Sequence, residues 1–352
     1  MEVNIYNLLD IYEKEVSKNT KNKRKVNNFE RNKMENIYDI KNILESNNYK
    51  VDKYNIFNIN SPKYRIVMSL NIKDKIINHY VTRYILISKL DKYLDIRNCA
   101  TRKNMGYDYA IKLLLKYLEE NKKYGKFYIL RIDISKYFYS IDHNVLKNLL
   151  IDKLDNEEYK IICNIIDSTN NNYINKEIIN LKNKLLKQDR KRKEEIEEIP
   201  LLEKGKGLPI GNMTSQFLSI FYLYKLDHYI VNDLKLKYMV RYMDDYVIIS
   251  RDKEYLKYSL NIIKDKLEKE YKVKINNKKT MILDSYHGFD FLGYRFRINN
   301  KIIINIKSDN KKRRNNNIKR LNYLYNNKLI TYRRYFNSLN NYLNSYKYVN
   351  KY

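Results

Sequence analysis

The chain has little of what builds disulfide scaffolds, zinc sites or membrane segments. Only two of its 352 residues are cysteines, Cys99 and Cys163, and neither belongs to a CxxC pair or has a histidine nearby in sequence. This argues against a disulfide framework and against a zinc site. No apolar run approaches the ~18 residues that cross a bilayer, and the start, MEVNIYNLLDIYEKEV, carries acids where a signal peptide needs basic and then apolar residues. We therefore expect a soluble, cytoplasmic protein with no membrane partner.

Acidic residues are also scarce relative to basic ones. Lys and Arg total 70 against 41 for Asp and Glu, which gives a formal net charge of +29. Such an excess repels itself unless a polyanion neutralises it, so nucleic acid is the expected partner. AT-rich coding would also enrich Lys, Asn, Ile and Tyr, so composition permits a nucleic-acid enzyme without proving one. The hydrophobic fraction of 43% fits a globular chain, and the length suggests two or three packed subdomains.

Hydrophobic periodicity predicts an α+β protein. Strands are expected at 64–70, at 127–135 and in a hairpin over 238–251, and amphipathic helices at 107–121, 213–230 and 253–271. The basic stretch at 18–33 is either a solvated helix face or an RNA-contacting arm. Residues 151–203 carry the densest charge, and we expect helices there that project from the core.

Three carboxylates form the strongest chemical pattern. Asp244 and Asp245 lie between two apolar runs of the expected hairpin, and Asp133 ends another apolar strand 111 residues earlier. If the two strands are neighbours, the acids converge, and close carboxylates repel each other unless a cation lies between them. Oxygen-only ligands favour Mg²⁺ or Mn²⁺ over Zn²⁺. The pattern therefore predicts a site of the two-metal kind used in phosphoryl transfer.

A series of motifs from about residue 61 to the C-terminus resembles the reverse transcriptase family. YMDD at 242–245 is similar to that family's signature. The other segments follow in the family's order: YRIVMSLNIKDKI (64–76) and RNCATRKNMGYDYA (97–110) resemble the two fingers motifs, LRIDISKYFYSIDH (130–143) motif A, GLPIGNMTSQFLSIFYL (207–223) motif B, NNKKTMIL (276–283) motif D, and FLGYRF (291–296) the primer grip.

This resemblance implies specific metal and sugar contacts. Asp133 and Asp244 would ligate two Mg²⁺ ions, for which Mn²⁺ can substitute, with Asp245 in an outer position and the Ile134 carbonyl as a further ligand. Phe138, five residues after Asp133, stands where the family places an aromatic gate against the 2′-OH of ribonucleotides. Simple core packing is the alternative for this side chain.

The resemblance also implies the substrate contacts. Arg65 would bind the incoming triphosphate, with Arg102 and Lys103 as weaker candidates. Lys279 matches the lysine that protonates the leaving pyrophosphate, although a solvated lysine would look the same in sequence. The remaining expected contacts are Ile210, Gly211 and Gln216 with the nucleotide and base pair, and Phe291, Leu292 and Gly293 with the primer end.

Motif B departs from the usual family pattern, because Ile210 stands where many members have Gln before the glycine. LPIGNxTSQ is characteristic of the reverse transcriptases of diversity-generating retroelements, which copy template RNA with errors at adenines. A small helical accessory protein would then be an expected partner, besides template RNA, the RNA/DNA hybrid and dNTPs. The alternatives are a standalone antiphage-defence enzyme, a retron-like enzyme, an RNA-dependent RNA polymerase, and a non-catalytic RNA-binding protein on a polymerase fold.

The expected architecture is a right-hand polymerase with a ferredoxin-like palm sheet, helical fingers and a small basic helical thumb. The segments are a basic helical extension (1–60), fingers (61–126), palm with motif A (127–150), a charged helical insertion (151–204), palm with motifs B to E (205–300) and thumb (301–352). The thumb range contains thirteen Lys or Arg residues (301, 307, 311–314, 319, 320, 328, 333, 334, 347 and 351) and one acid, Asp309, a net of +12.

Overall fold

A computed structural model describes residues 2–349. Helices and antiparallel sheets alternate along the chain, which confirms the expected α+β class. Residue 1 of the predicted N-terminal extension and residues 350–352 of the predicted thumb lie outside the described residues. Over the part that is described, no helix has both the length and the apolar character needed to cross a membrane.

The N-terminal extension is mostly helical between residues 5 and 45, and its Leu8 and Ile37 are buried in one cluster with Ile76 of the fingers. Tyr12 is fully buried and its ring stacks on Phe29 at a centroid distance of 4.5 Å, so the basic 18–33 stretch is anchored by an aromatic contact. The helices are α1 (Ile5–Ile11), α2 (Ser17–Asn19), α3 (Lys23–Arg31) and α4 (Lys33–Glu45), with a π-helical segment, Tyr12–Val16, joining the first two.

The fingers begin with an antiparallel hairpin, followed by helices. The first strand of this hairpin lies within residues 1–60, the range expected to be a helical extension, so that range is not helical throughout. In the hairpin, Asn55 pairs with Ser69 and Ile59 with Arg65. Asn71 caps the next helix, since its side chain accepts a hydrogen bond from the Asp74 amide. The elements are β1 (Asn55–Ile59), β2 (Arg65–Ser69), α5 (Ile72–Tyr80), a π-helical segment (Val81–Ile87), α6 (Ser88–Leu90), a 3₁₀ turn (Asp91–Tyr93) and α7 (Tyr107–Lys122).

The charged insertion packs on the fingers hairpin, and the expectation that it projects from the core is therefore wrong. Ile174, Ile178 and Ile196 are buried in one cluster with Ile66 and Met68 of β2. The helical spacing of these apolar residues gives the insertion a face to bury. The elements of this part of the chain are β3 (Tyr128–Asp133), α8 (Tyr137–Ser140), α9 (His143–Leu150), α10 (Asn156–Asp167), α11 (Asn172–Gln188) and α12 (Lys193–Glu197), with 3₁₀ turns at Ser168–Asn170 and Arg190–Arg192.

The second part of the palm contains the predicted hairpin. The helix expected over 213–230 is divided at Leu223, whose backbone leaves the helical region (φ −108°, ψ 16°). The elements are α13 (Met213–Tyr222), α14 (Tyr224–Asn232), β4 (Met239–Tyr242), β5 (Asp245–Ser250), α15 (Lys253–Lys269) and β6 (Met281–Asp284).

The palm sheet has the order β4–β5–β3–β6, with all neighbours antiparallel. Successive strand residues point to opposite faces. Leu130 and Ile248 accordingly join a cluster with α13 and α15, whereas Ile129 and Val247 join a second cluster with α7. Burial of both faces explains why these strands read as nearly continuous apolar runs.

The C-terminal part opens with a strand where a helical thumb was expected. Residues 302–306 form β9, the last strand of a separate three-stranded antiparallel sheet, so the helical part of the predicted thumb begins only at Ser308. The alternation of buried and exposed residues along β9 fits a strand. The elements are β7 (Phe289–Phe291), β8 (Tyr294–Ile298), β9 (Ile302–Ile306), α16 (Ser308–Asn326) and α17 (Tyr332–Asn344).

Candidate active site

The palm sheet brings the three predicted carboxylates together. Asp133 at the end of β3 pairs in register with Asp245 at the start of β5, so both side chains lie on the same face. Tyr242 pairs with Asp245, which leaves Met243 and Asp244 as a two-residue turn. Met243 has a left-handed backbone (φ +58°), and the Ile134 amide donates a 3.3 Å hydrogen bond to the Asp244 carbonyl. Two adjacent strands thus bring the carboxylates close together, as the sequence predicts.

The electrostatics of this cluster favour an added cation. Burial, followed by the charges of Asp245 and Asp133, raises the pKa of Asp244 to about 6. Burial also raises the pKa of Asp245, although Arg131 opposes this with a guanidinium nitrogen 3.5 Å from Oδ1. That Oδ1 atom is buried, and its 3.5 Å contact with Arg131 is longer than an ordinary hydrogen bond. A buried acidic group whose oxygen has only this long contact fits a hard divalent cation.

Lys279 supplies positive charge to the cluster. Its ammonium nitrogen lies 2.8 Å and 3.0 Å from the two carboxylate oxygens of Asp133. Within residues 2–349, no three Asp, Glu, His or Cys side chains are arranged as a ready metal-binding group. The donor oxygens suit Mg²⁺ by type, but the Lys279 ammonium lies against both oxygens of Asp133, where an ion would also bind. The lysine side chain is 52% exposed, so it has room to move away.

A cavity of about 330 Å³ lies beside the Asp244 turn. It is lined by Arg65 from β2, Phe138 from α8, Ile210 and Asp244, which come from four separate segments. Phe138 is half-buried against the palm core and borders the cavity as well, so packing and substrate contact are compatible for this ring. Four of the residues predicted from the sequence to bind metal or substrate therefore line the same cavity.

A neighbouring cavity of about 480 Å³ extends this space towards the lysine of motif D. Asp133, Ile134 and Lys279 line it, and Asp244 borders both cavities. The space on either side of Asp244 is therefore open to a ligand larger than a single ion.

Ile210 and Gly211 are held against the fingers hairpin. The Met68 amide donates a 2.9 Å hydrogen bond to the Ile210 carbonyl. Gly211 has φ +112°, and a Cβ atom there would lie 2.9 Å from Cγ1 of Val67. Because the backbone angle and the close approach both exclude a side chain, glycine is required at this position. The hydrogen bond and the glycine fix Ile210 at the edge of the cavity.

Three predicted substrate contacts lie away from the cavity. The guanidinium of Arg102 is bonded to the Asp91 carboxylate (2.8 Å) and to the carbonyls of Asp95 and Asn98, and its side chain is only 7% exposed. The triphosphate role for Arg102 is therefore contradicted by its placement, because its donors are already used. Lys103 and Gln216 are exposed, and neither lines either cavity.

The predicted primer-grip residues form the turn between β7 and β8. Phe291 pairs with Tyr294 and is buried, so its ring belongs to the core. Leu292 and Gly293 make a two-residue turn with positive φ values of +46° and +84°. The Tyr107 hydroxyl donates a 2.8 Å hydrogen bond to the Leu292 carbonyl. The turn therefore exposes mainly backbone atoms, and the buried Phe291 ring holds it against the core.

The charged insertion contributes to the cavity in a way that sequence reasoning missed. Ile199 and Pro200 line it, as does Tyr64, whose amide donates to a Glu195 carboxylate oxygen (2.7 Å). The guanidinium of Arg192 lies 4.2 Å from the Tyr64 ring centroid, a cation–π contact. The only signal in the sequence was Pro200 at the end of the charged run, which does not reveal a contact with a residue more than 130 positions away.

Comparisons with known proteins agree with this geometry. A sequence model described as "Reverse transcriptase (RNA-dependent DNA polymerase)" matches residues 50–296. A search of curated proteins found no match.

Among solved structures, the apo telomerase from Candida tropicalis truncated from its C-terminal domain superposes with a TM-score of 0.50 at 13% identity, over 75% of this chain and 58% of that one. The apo telomerase from the same organism gives 0.47 at 15% identity, over 70% and 47%. The telomerase from Candida albicans in complex with a fragment of telomeric RNA gives 0.48 at 15% identity, over 75% and 46%. The chain thus spans less than two thirds of these proteins, and the first likeness shows the fold alone.

Proposed function

The chain belongs to the reverse transcriptase family, and we propose that it synthesises DNA on an RNA template by metal-dependent nucleotidyl transfer. The observation that supports this most strongly is the convergence of Asp133, Asp244 and Asp245 beside a cavity lined by Arg65, Phe138 and Ile210. The carboxylate charges, the cavity beside them and the family match are all consistent with this reaction. Template RNA, the RNA/DNA hybrid and dNTPs are the proposed partners.

Asp133 and Asp244, with Asp245 and the Ile134 carbonyl beside them, would hold two Mg²⁺ ions, for which Mn²⁺ can substitute. Such ions, when bound, lower the pKa of a hydroxyl and neutralise phosphate charge. The raised pKa of Asp244 and the weakly paired Oδ1 of Asp245 support this assignment, because both groups gain from a nearby cation.

The proposed roles of the other cavity residues follow from their positions. Arg65 binds the triphosphate, and Phe138 lies under the sugar and excludes a 2′-hydroxyl. Lys279 exchanges Asp133 for the leaving pyrophosphate and donates a proton to it. We assign placement of the primer end to the turn of Leu292 and Gly293. Gly211 would place the nascent base pair.

The finer proposal concerns fidelity. Ile210 lines the nucleotide cavity with an aliphatic side chain, which cannot donate a hydrogen bond to the bound nucleotide. Without this hydrogen bond, a polymerase would distinguish correct from incorrect base pairs less well and would accept wrong pairs more often. This property suits the error-prone enzyme of a diversity-generating retroelement. A small helical accessory protein is then a further proposed partner.

One experiment tests both levels of the proposal. The protein copies a defined RNA template from an annealed DNA primer with four dNTPs or four rNTPs, and the products are sequenced. DNA products with errors concentrated at template adenines support the full proposal. Accurate DNA products favour the defence or retron-like alternative, whereas products made only from rNTPs indicate an RNA polymerase. RNA binding with no product indicates a non-catalytic protein.

A further inference from the structure

Arg241, three residues before Asp244, has the largest fully buried side chain among residues 2–349. Its counter-ion is Asp227 of α14, with 2.7 Å between Nη1 of Arg241 and Oδ2 of Asp227, and both side chains are 0% exposed. A buried charge is costly unless it is paired and its other polar atoms are hydrogen-bonded. The partners of the remaining guanidinium donors therefore indicate what this side chain is for.

Most donors of the Arg241 guanidinium bond to groups other than the counter-ion. Nε donates to the Met243 carbonyl at 2.8 Å. Nη1 also donates to the Ile220 carbonyl at 3.2 Å, and Nη2 donates to the Ser219 carbonyl at 3.2 Å and to the Tyr137 hydroxyl at 3.3 Å. A planar fork with five donors can hold several acceptors at once, which a lysine ammonium cannot do in the same geometry.

The bond to Met243 bears directly on the position of Asp244. Met243 has φ +58°, a conformation that is unfavourable for a residue with a side chain and persists where the surroundings hold it. The Nε donor fixes the carbonyl of this residue, immediately before Asp244. Arg241 therefore holds the backbone directly before the residue that carries the Asp244 carboxylate.

The other acceptors belong to segments that carry cavity residues. Ser219 and Ile220 lie in the last turn of α13, where backbone carbonyls lack partners within the helix. The same helix starts just after Ile210 and Gly211, and Tyr137 directly precedes Phe138. One guanidinium thus bonds the three segments that place Asp244, Ile210 and Phe138 around the cavity.

Asp227 extends this network to the second strand of the hairpin. Its Oδ1 accepts a 2.9 Å hydrogen bond from the Tyr246 hydroxyl, and its Oδ2 accepts a 3.2 Å bond from the Asn98 amide nitrogen. Tyr246 follows Asp245 in β5. Both strands of the carboxylate hairpin are therefore tied to the same buried pair.

We propose that Arg241 is a positioning residue for nucleotidyl transfer, which holds the Met243 turn, the end of α13 and Tyr137 in one fixed arrangement. This inference rests on the proposed function. Because a misplacement of about 1 Å in an active site can lower the rate about 10²-fold, loss of this arrangement affects the chemical step. Affinity for primer–template does not depend on it, since that affinity comes from exposed basic groups.

The first test variant is Arg241→Lys, which keeps the charge opposite Asp227 and removes the fork. The measurement is the single-turnover rate at saturating dNTP per bound RNA/DNA primer–template, together with the dissociation constants of dNTP and primer–template and the melting temperature. We expect the rate to fall by at least about tenfold while both dissociation constants stay within about threefold.

A second variant addresses the case in which the first one does not fold. Arg241→Met combined with Asp227→Leu removes both buried charges together, a replacement that buried ion pairs often tolerate. It also removes every donor to the Met243 carbonyl from this side chain. We expect a folded protein with the same loss of rate as the lysine variant.

The control is Val240→Ala, in the same strand but buried in the cluster on the opposite face of the sheet. It lowers thermal stability through a cavity, and we expect its rate per bound complex to stay within about twofold of wild type. A wild-type rate in either Arg241 variant overturns the positioning role. Loss of primer–template binding in both variants, with binding intact in Val240→Ala, also overturns it and makes Arg241 a folding residue. An inactive wild-type protein instead contradicts the proposed function itself.

Discussion

The palm and the thumb helices are held in opposite ways. In the palm, β3 and β5 are buried on both faces, and the charged side chains of Arg241 and Asp227 are bonded inside the core. In the thumb, α16 buries only Leu321, and within Tyr332–Asn344 no side chain is buried. The thumb helices are joined mainly by surface contacts such as the stack of Tyr325 on Tyr335 at 4.4 Å.

This difference indicates a division of labour. Residues fixed by packing can hold reacting groups in one geometry, as catalysis by positioning requires. Elements with few buried contacts open and shift at low cost, which suits a surface that follows a nucleic-acid backbone through charge. We therefore expect palm substitutions to change the rate or selectivity of chemistry, and thumb substitutions to change affinity.

The largest effect is expected from Asp244→Asn, which keeps the size of the side chain and removes its charge. Turnover should fall by roughly 10³-fold or more, because metal-borne charge stabilisation is worth several kcal/mol. Primer–template affinity should stay near wild type. The control is Asp233→Asn, an exposed carboxylate at the end of α14. Activity of the Asp244 variant within about tenfold of wild type would sink the palm assignment.

The next effect is expected in the thumb and on affinity alone. Four exposed basic residues of α16, namely Lys311, Lys312, Lys319 and Arg320, are changed to Gln. Arg314 is kept, because its Nε donates to the Tyr342 carbonyl at 2.8 Å and joins the two helices. The slope of log K against log salt should decrease by up to about 3.6, at about 0.9 per duplex phosphate contact.

A matched set of lysines on α15 provides the control for the thumb variant. This helix packs on the opposite face of the palm sheet from the cluster that contains β7, β8 and β9. The α15 control variant carries four Gln substitutions, as the thumb variant does. They replace Lys253, Lys257, Lys264 and Lys269. Equal slopes for the thumb variant and the wild type would mean that the α16 charges are simply solvated.

A smaller effect is expected on sugar selection when Phe138 is changed to Ala. Removing the ring makes room for a 2′-hydroxyl, and the preference for dNTPs over rNTPs should fall by about tenfold or more. Phe138→Tyr keeps the ring and should keep the preference. The measurement is the ratio of kcat/KM for a dNTP and its rNTP on one template. An unchanged ratio in the alanine variant would leave Phe138 as a packing residue.

The smallest effect is expected on fidelity when Ile210 is changed to Gln. The new side chain can donate a hydrogen bond worth about 0.5–1.5 kcal/mol, so misincorporation should fall by up to roughly tenfold. Ile210→Val remains aliphatic and should copy with wild-type errors. Sequencing of cDNA from one RNA template compares the three proteins. Identical error spectra for the wild type and the Gln variant contradict the role of Ile210.

The sequence was most informative where function constrains local pattern. The convergence of Asp133 and the Asp244–Asp245 pair followed from apolar strands that end in acids, and the structure confirms it. The triphosphate role of Arg102 was wrong by placement, since its partner Asp91 lies in a different local turn that the motif does not encode.

Other features could not be predicted because they depend on contacts between distant parts of the chain. Nothing near Arg241 in sequence indicates that its guanidinium donates a hydrogen bond to Tyr137, which lies more than 100 residues earlier. The same applies to the charged insertion, whose long run of Lys and Glu hides the isoleucines that pack on β2. The break at Leu223 was hidden as well, because apolar spacing continues through it.

Metal-dependent DNA synthesis on an RNA template can be measured directly with the wild-type protein. Incorporation of labelled dTTP is measured on poly(rA) with an oligo(dT) primer in Mg²⁺, after an excess of EDTA, and after restoration with Mn²⁺. We expect extension with Mg²⁺, none with EDTA, and recovery with Mn²⁺, since oxygen ligands accept both ions. Extension that persists in EDTA would rule out metal-dependent transfer, and a protein that binds this primer–template but never extends it with either metal would not be a reverse transcriptase.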